Sequence, residues 1–361
     1  MHSALIEELL EILRIESFTG EEQRICDHVE ARIAQRFRDA AIQPTVERIN
    51  NSLIVRSPRR AGAPTIGLAG HLDTVKGDET GPRVHVDAGR IVGLGASDMK
   101  AGVAVMLDLL SPETIESLST NVTWIFYESE EGSYRSNGLH EIFKRVPHLQ
   151  ELELCFILEP TDSTLHLGCM GTSHARVLFE GRRAHSARPW QGENAIHKSA
   201  GFLARLASLS PRVVSIEGLE FKEVISATVA HSGDNSSNVV PDRFELSVNT
   251  RFSPNTTMEA ARQWLSDLVQ GEASVEFIDE SPSCPVPSGN PILQRFRTRF
   301  GLPVHPKLAY TDVALFGLHG IPAVNCGPGL TAQAHQRGEF VLLDDVVRSY
   351  ELYRSFLCEP G

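Results

Sequence analysis

The stretch TIGLAGHLD, residues 65–73, is an apolar run that breaks abruptly into His71-Leu72-Asp73. A short apolar run closed by a polar turn reads as a buried strand, and in an extended segment alternate residues point the same way. His71 and Asp73 therefore share a side, where Asp73 can orient the imidazole. GLGAS closes on Asp98, VTWIFYES leads through Glu130 to Glu131, and LCFIL meets Glu159. Each of the four, His71, Asp98, Glu131 and Glu159, is expected at the end of a buried strand, the edge where open α/β sheets bind ligands. His335 joins them from far down the chain. One His or Asp after a strand is ordinarily a turn or a helix cap. Five together, mixing imidazole with carboxylate, suit borderline divalent ions such as Zn²⁺, Co²⁺ or Mn²⁺ and read as a two-metal hydrolase site.

Outward from this segment, SLIVRS, NVTWIFYES and LCFIL read as further strands and MKAGVAVMLDLL as a helix between two of them, an alternation that argues for an α/β sheet. Upstream, Ser3 to Arg14 and Gly20 to Phe37 have helical apolar spacing, with Thr19-Gly20-Glu21-Glu22 as a capping signal between them. The pattern changes after Gly171. HARVLFEGR, the helix NAIHKSAGFLARLASL, the strands VISATVAHSG and FELSVNTRFS, the helix TMEAARQWLSDLVQG and the strand ASVEFIDES follow in order, a split β-α-β-β-α-β unit. The expected plan is a metal-binding catalytic domain of residues 1–171 and 288–361, with residues 172–287 inserted as a ferredoxin-like α+β lid and dimerisation domain. A helix near Ile292 to Phe300, TDVALFGLHG and the strand PAVNCG bring the chain back, so that His335 closes the site from beyond the insertion.

At 361 residues the chain exceeds a single hydrophobic core, which fits one large and one smaller domain. A net charge of −12 argues against nucleic acid or an anionic membrane as partner. No apolar stretch reaches the length of a membrane span, and the first residues are acidic where a signal peptide needs a basic start, so a cytoplasmic protein is expected. Cys26, Cys155, Cys169, Cys284, Cys326 and Cys358 form no CxxC pair and read as reduced thiols.

GHLDTV, GLGASDMKAG, ESEEGS, ILEPT, RRAHSARPWQGENAIHK and GIPAVNCGPG followed by AHQRGE together resemble the M20 family of dinuclear metallohydrolases, over a span from about His71 to about Glu339. Within it they are most similar to its actinobacterial desuccinylases, which free succinate from N-succinyl-L,L-diaminopimelate for lysine and cell-wall synthesis. The resemblance implies a zinc-peptidase-like α/β catalytic domain and a homodimer. It implies two divalent ions, Zn²⁺ first and Co²⁺ or Mn²⁺ as alternatives, bridged by Asp98. His71 and Glu159 complete one site, Glu131 and His335 the other, around a bridging water with Glu130 as general base. It further implies a strained, cis Asp98-Met99 peptide.

His185, in RAHSARP, is implied as an oxyanion donor in the partner subunit's site, against the plainer reading of a helix cap near Asn194 or a solvated loop. Arg251 and Asn238 match lid positions that grip substrate, and a guanidinium can clamp a carboxylate with two hydrogen bonds. Gly327 and Gly329 would let backbone approach a ligand, and Thr311 is a further contact candidate. Glu128 is expected to be structural. The substrate is a small N-acyl amino acid; other M20 reactions, acetylornithine deacetylation or metallo-carboxypeptidase activity among them, remain as alternatives.

Other classes fit less well. GLGASD begins like a dinucleotide fingerprint but places Asp98 where the third glycine belongs. GxSxG, Walker A and HExxH patterns are absent. A catalytically silent binding protein would have little reason to keep Glu130 beside every ligand position.

Overall fold

The computed structural model describes residues 3–76, 84–233 and 236–359, and the chain divides into two compact units. The first comprises residues 1–167, 287–305 and 315–361, the second residues 168–286 and 306–314.

In the first unit, strands β1 (Thr45–Ile49), β2 (Ser52–Arg56), β3 (Thr65–His71), β4 (His85–Asp87), β5 (Arg90–Val92), β6 (Asn121–Tyr127), β7 (Leu154–Pro160) and β8 (Leu165–Leu167) precede the second unit. Strands β16 (Val304–Pro306), β17 (Ala323–Gly327) and β18 (Phe340–Leu342) follow it. The main sheet runs β1-β2-β6-β3-β7-β17-β8-β16, and its centre, β6-β3-β7-β17, is parallel. Burial on both faces explains why these strands read as unbroken apolar runs. The parallel register sets His71 opposite Tyr127 and Gly327 opposite Pro160, so the four carboxyl ends form one edge. A smaller sheet, β18-β5-β4, lies beside it in sequence logic: β5 feeds the Asp98 segment and β18 follows Glu339.

Helix Ala101–Leu109 is apolar on nearly every side because it packs on β3, on β7 and on helices Ser3–Leu13 and Leu343–Cys358. A Cβ at Gly102 would lie 2.4 Å from the Leu158 carbonyl oxygen, so only glycine lets this helix sit so close to β7. No helix among the described residues is long and apolar enough to cross a membrane. All six cysteines are free thiols.

The second unit holds β9 (Gly171–Glu180), β10 (Ala184–His185), β11 (Arg212–Ile216), β12 (Leu219–Ser232), β13 (Val239–Val240), β14 (Arg243–Phe252) and β15 (Ser274–Ser281). Its sheet order is β11-β12-β14-β9-β15, antiparallel throughout. Without β11 this is the expected ferredoxin-like order, and β11 is an added edge strand that RVVSI did not announce. Along β14, Phe244, Leu246, Val248, Thr250 and Phe252 are buried and alternate with polar residues. The apolar side meets Phe202, Trp264, Leu265 and Val269 of the unit's helices. The single helix expected from NAIHKSAGFLARLASL is two, Ala195–Lys198 and Ala200–Ala207, divided at Ser199, whose hydroxyl bonds back to the Ile196 carbonyl. Residues 306–314 return to this unit, where Met170 N–H donates to the Ala309 carbonyl.

Candidate metal centre

His71 ends β3 and Glu159 lies in the last turn-ward residues of β7, as the alternation required. Glu131 lies in the loop beyond β6. Asp98 departs from expectation. It sits in the tight turn that starts helix Ala101–Leu109, after β5, because Gly95 in the left-handed region reverses the chain before a strand can continue. The Asp98-Met99 peptide is cis. His335 comes from a loop and has φ of 60°, a conformation that costs a non-glycine residue about 1 kcal/mol.

These side chains converge. His71 Nε2 lies 3.2 Å from Asp98 Oδ1 and 3.7 Å from Glu159 Oε1. His335 Nε2 lies 3.0 Å from Glu131 Oε1 and 3.6 Å from Asp98 Oδ2. Ligand atoms of His71, Asp98 and Glu159 fall within 4.8 Å of one another, as do those of Asp98, Glu131 and His335. Asp98 thus turns one oxygen to each imidazole, which is the disposition a bridging carboxylate needs. A third such group joins Glu130 to His71 and Glu131. Three carboxylates packed against two imidazoles form an anionic cradle that suits divalent cations. Its protonation follows the same charge. The Glu131 carboxylate, followed by Asp98, pushes His335 up to about 9, and although burial opposes it, bonds to Asp73 and Asp98 hold His71 well above the usual histidine range.

Asp73 is fully buried. Its Oδ1 accepts the Glu130 N–H and its Oδ2 the Glu131 N–H, each at 3.0 Å, while the Thr19 hydroxyl donates to Oδ2 at 2.9 Å. Burial would raise its pKa, but the His71 contact and these amides win and hold it below the usual range. The carboxylate expected to orient His71 therefore also fixes the loop that carries Glu130 and Glu131. His71 Nδ1 lies 3.0 Å from the Asp73 carbonyl oxygen and 3.5 Å from Oδ1.

The capping signal at Thr19 resolves differently. Helix Gln23–Phe37 has no side-chain cap, because the Thr19 hydroxyl is taken by Asp73, and Glu22 Oε1 accepts the N–H of Gly20 and both the N–H and hydroxyl of Ser129. Ser129 needs that anchor, since its φ is 61°. Glu128 accepts the Asn51 N–H, a structural contact. Motif reading gave Thr19 and Glu22 a capping role alone and assigned Glu339 none. Glu339 is buried and accepts three backbone N–H groups of the Asp98 turn; burial pushes it up to about 7. Lys100, also buried, donates to the Ile15 carbonyl and is brought down to about 8 by that burial. A cavity of about 490 Å³ opens beside His335 and Glu339, lined among others by Ile15, Phe18 and Lys76.

Gly327 comes close to protein backbone in its own unit. A Cβ there would lie 2.2 Å from the Leu158 carbonyl oxygen, so glycine permits the approach of β17 to β7, and Gly329, at φ of 98°, packs on Ser97. In the second unit, His185 pairs with Val239 and Ser186 N–H donates to the Asn238 carbonyl, which brings His185 and Asn238 together. His185 does not cap a helix. Asn194 does so, while His185 Nδ1 accepts the Ala187 N–H on an exposed turn. Arg251, partly buried on β14, donates to Asn249, and loss of hydration lowers its pKa. Thr311 is buried, its hydroxyl without a hydrogen-bond partner among the described residues.

The model of peptidase family M20/M25/M40 matches residues 67–359. The chain belongs to that family. Among curated relatives, the putative succinyl-diaminopimelate desuccinylase of Mycobacterium tuberculosis is 34% identical over 96% of both chains. The succinyl-diaminopimelate desuccinylase of Corynebacterium glutamicum is 31% identical over 96% of this chain and 94% of its own. Solved structures share the fold: a Staphylococcus aureus tripeptidase superposes with a TM-score of 0.81 at 18% identity, covering 99% of this chain and 98% of its own. A Bacillus subtilis protein described as a dinuclear metal-binding peptidase of the M20 family gives 0.69 at 15%, covering 99% and 97%.

Proposed function

We propose that this M20 hydrolase removes succinate from N-succinyl-L,L-diaminopimelate, giving L,L-diaminopimelate and succinate. The observation that carries the hydrolytic part is Asp98, whose two oxygens face two separate His–Glu sets with Glu130 alongside. The acyl group is carried by the two actinobacterial relatives. His71, Asp98 and Glu159 would hold one ion and Asp98, Glu131 and His335 the other, Zn²⁺ by donor type, with Co²⁺ or Mn²⁺ also suited. Such a pair, when bound, polarises the scissile carbonyl and makes a water more acidic. Glu130 accepts the proton of that water and returns it to the leaving amine, its backbone fixed by Asp73 while it does so.

In this reading the protein works in the cytoplasm as a homodimer, and His185 of the partner subunit donates to the oxyanion as the carbonyl carbon becomes tetrahedral. Arg251 and Asn238 take the substrate's carboxylates, with Thr311, Gly327 and Gly329 as further contacts. The half-buried guanidinium of Arg251 supports this, since among the described residues its hydrogen bond goes to a neutral amide. Kinetics of the metal-loaded protein on N-succinyl-L,L-diaminopimelate, N-acetylornithine, other N-acyl amino acids and dipeptides test the assignment. The succinyl substrate should have the highest kcat/KM; no turnover of it beside ready cleavage of another amide would move the protein to a different M20 reaction.

A further inference from the structure

Asp98 has to present one oxygen to each half of the site, so its backbone must not rock. Glu339 meets that need from 241 residues away. Its Oε1 accepts the N–H of Ser97 at 2.7 Å and of Asp98 at 2.9 Å, and its Oε2 accepts the N–H of Gly95 at 2.8 Å. The main chain doubles the link, because Gly93 N–H donates to the Glu339 carbonyl and β18 pairs with β5 immediately alongside. The carboxylate is 2% exposed, and none of the hydrogen bonds found for it goes to a side chain. A surface glutamate would not accept three consecutive-turn amides out of water by accident of crowding; burying a carboxylate is costly unless such donors meet it.

We propose that Glu339 is a positioning residue for the metal centre, a carboxylate that ties the Asp98 turn to the loop carrying His335 so that the shared ligand and the exposed histidine keep a fixed separation. It mirrors Asp73, which holds the Glu130–Glu131 loop by the same device. The idea rests on the reading of Asp98 as the shared ligand, and it predicts that the turn is set before any ion arrives.

Metal titration of the full chain tests it, with Co²⁺ absorption or calorimetry as the readout. Glu339→Gln can still offer one oxygen to Ser97 and Asp98 but turns an amide toward Gly95, so metal affinity should fall roughly 10–100-fold, as for other outer partners of ligands. Glu339→Ala should fall further and, since it leaves three buried N–H groups without an acceptor, also melt lower, whereas metal-free Glu339→Gln should melt nearer the parent temperature and excess metal should restore its turnover with KM unchanged. Ser97→Ala disturbs the same turn but leaves its N–H on Glu339; it should bind metal like the parent. Unchanged affinity in Glu339→Gln, or an equal loss in Ser97→Ala, overturns the proposal. Amide exchange in the unaltered, metal-stripped protein needs no variant. Slow exchange at Ser97 and Asp98 is expected, and protection that appears only on adding metal would show that the ions set the turn instead. Failure of the site reading itself looks different: Asp98→Ala would then keep both ions.

Discussion

The two halves of the proposed metal centre use the same chemistry, one imidazole and one glutamate each with Asp98 between them, yet they are built from different material. His71 and Glu159 stand on neighbouring parallel strands, their side chains 0% and 6% exposed, and the His71 imidazole is held by Asp73. His335 sits on a loop with a side chain 52% exposed, beside a cavity, and Glu131 stands on a second loop. Ligands on rigid strands are positioned before the ion binds, whereas the half-exposed His335 side chain, even on an anchored backbone, loses rotamer freedom on binding and holds the ion less tightly. The difference teaches that donor type fixes which metal can bind, while the scaffold under each donor fixes how firmly.

The largest expected effect removes the contrast altogether. Asp98→Ala should lose both ions and with them activity, a loss beyond the ~10–100-fold that outer partners cost. Metal content per subunit decides it, and full double occupancy would refute the shared-ligand assignment. Next, Glu130→Gln should keep both ions and substrate affinity while turnover drops roughly 10²-fold or more. Glu131→Gln should instead weaken the exposed half; reversed phenotypes in steady-state kinetics and metal analysis would exchange the two roles.

Single-histidine variants address the asymmetry itself. His335→Ala should lose mainly one ion and leave thermal stability near the parent's, whereas His71→Ala, which empties a buried position, should lose its ion and also lower the melting temperature. A weak chelator should likewise strip the unaltered protein in two steps, the exposed half first. Simultaneous loss of both ions would mean that the halves are equal in strength. The smallest signal comes from mixing Glu130→Gln with His185→Ala, each inactive alone. A mixed dimer has one site with its own Glu130 and the partner's His185, so part of the activity should return. With subunit exchange verified by mass, no recovery removes the trans role of His185.

How much of this could be read from the chain depended on what each residue bonds to. β3, β6 and β7 are legible because both faces are buried, and their short apolar runs end where the ligands begin. The order of strands in the inserted unit is legible for a similar reason, the strict alternation along β14. Thr19, Glu22 and Glu339 were not, because their partners lie 54 to 244 residues away and, for Glu22 and Glu339, are mainly backbone N–H groups, which carry no side-chain signature. A threonine followed three residues later by glutamate looks like a capping box whatever it eventually bonds. Only the arrival of Asp73 redirects Thr19. Asp98 misled for a related reason: GLGAS has the composition of a strand end, but Gly95 turns the chain into a helix instead.

The 241-residue separation between the Asp98 turn and Glu339 also has a meaning in time. At about 5–20 residues per second, a ribosome takes roughly 12–50 s to travel from one to the other. His71 and Asp98 are already made when that interval opens and Glu131 and Glu159 follow early in it, so a nascent chain presents the two strand-borne ligands, His71 and Glu159, to the cell's metal pool well before His335 completes the exposed half. The order of translation thus coincides with the order of firmness, and a growing polypeptide can take up its first ion while it still lacks the residues that complete a hydrolytic centre.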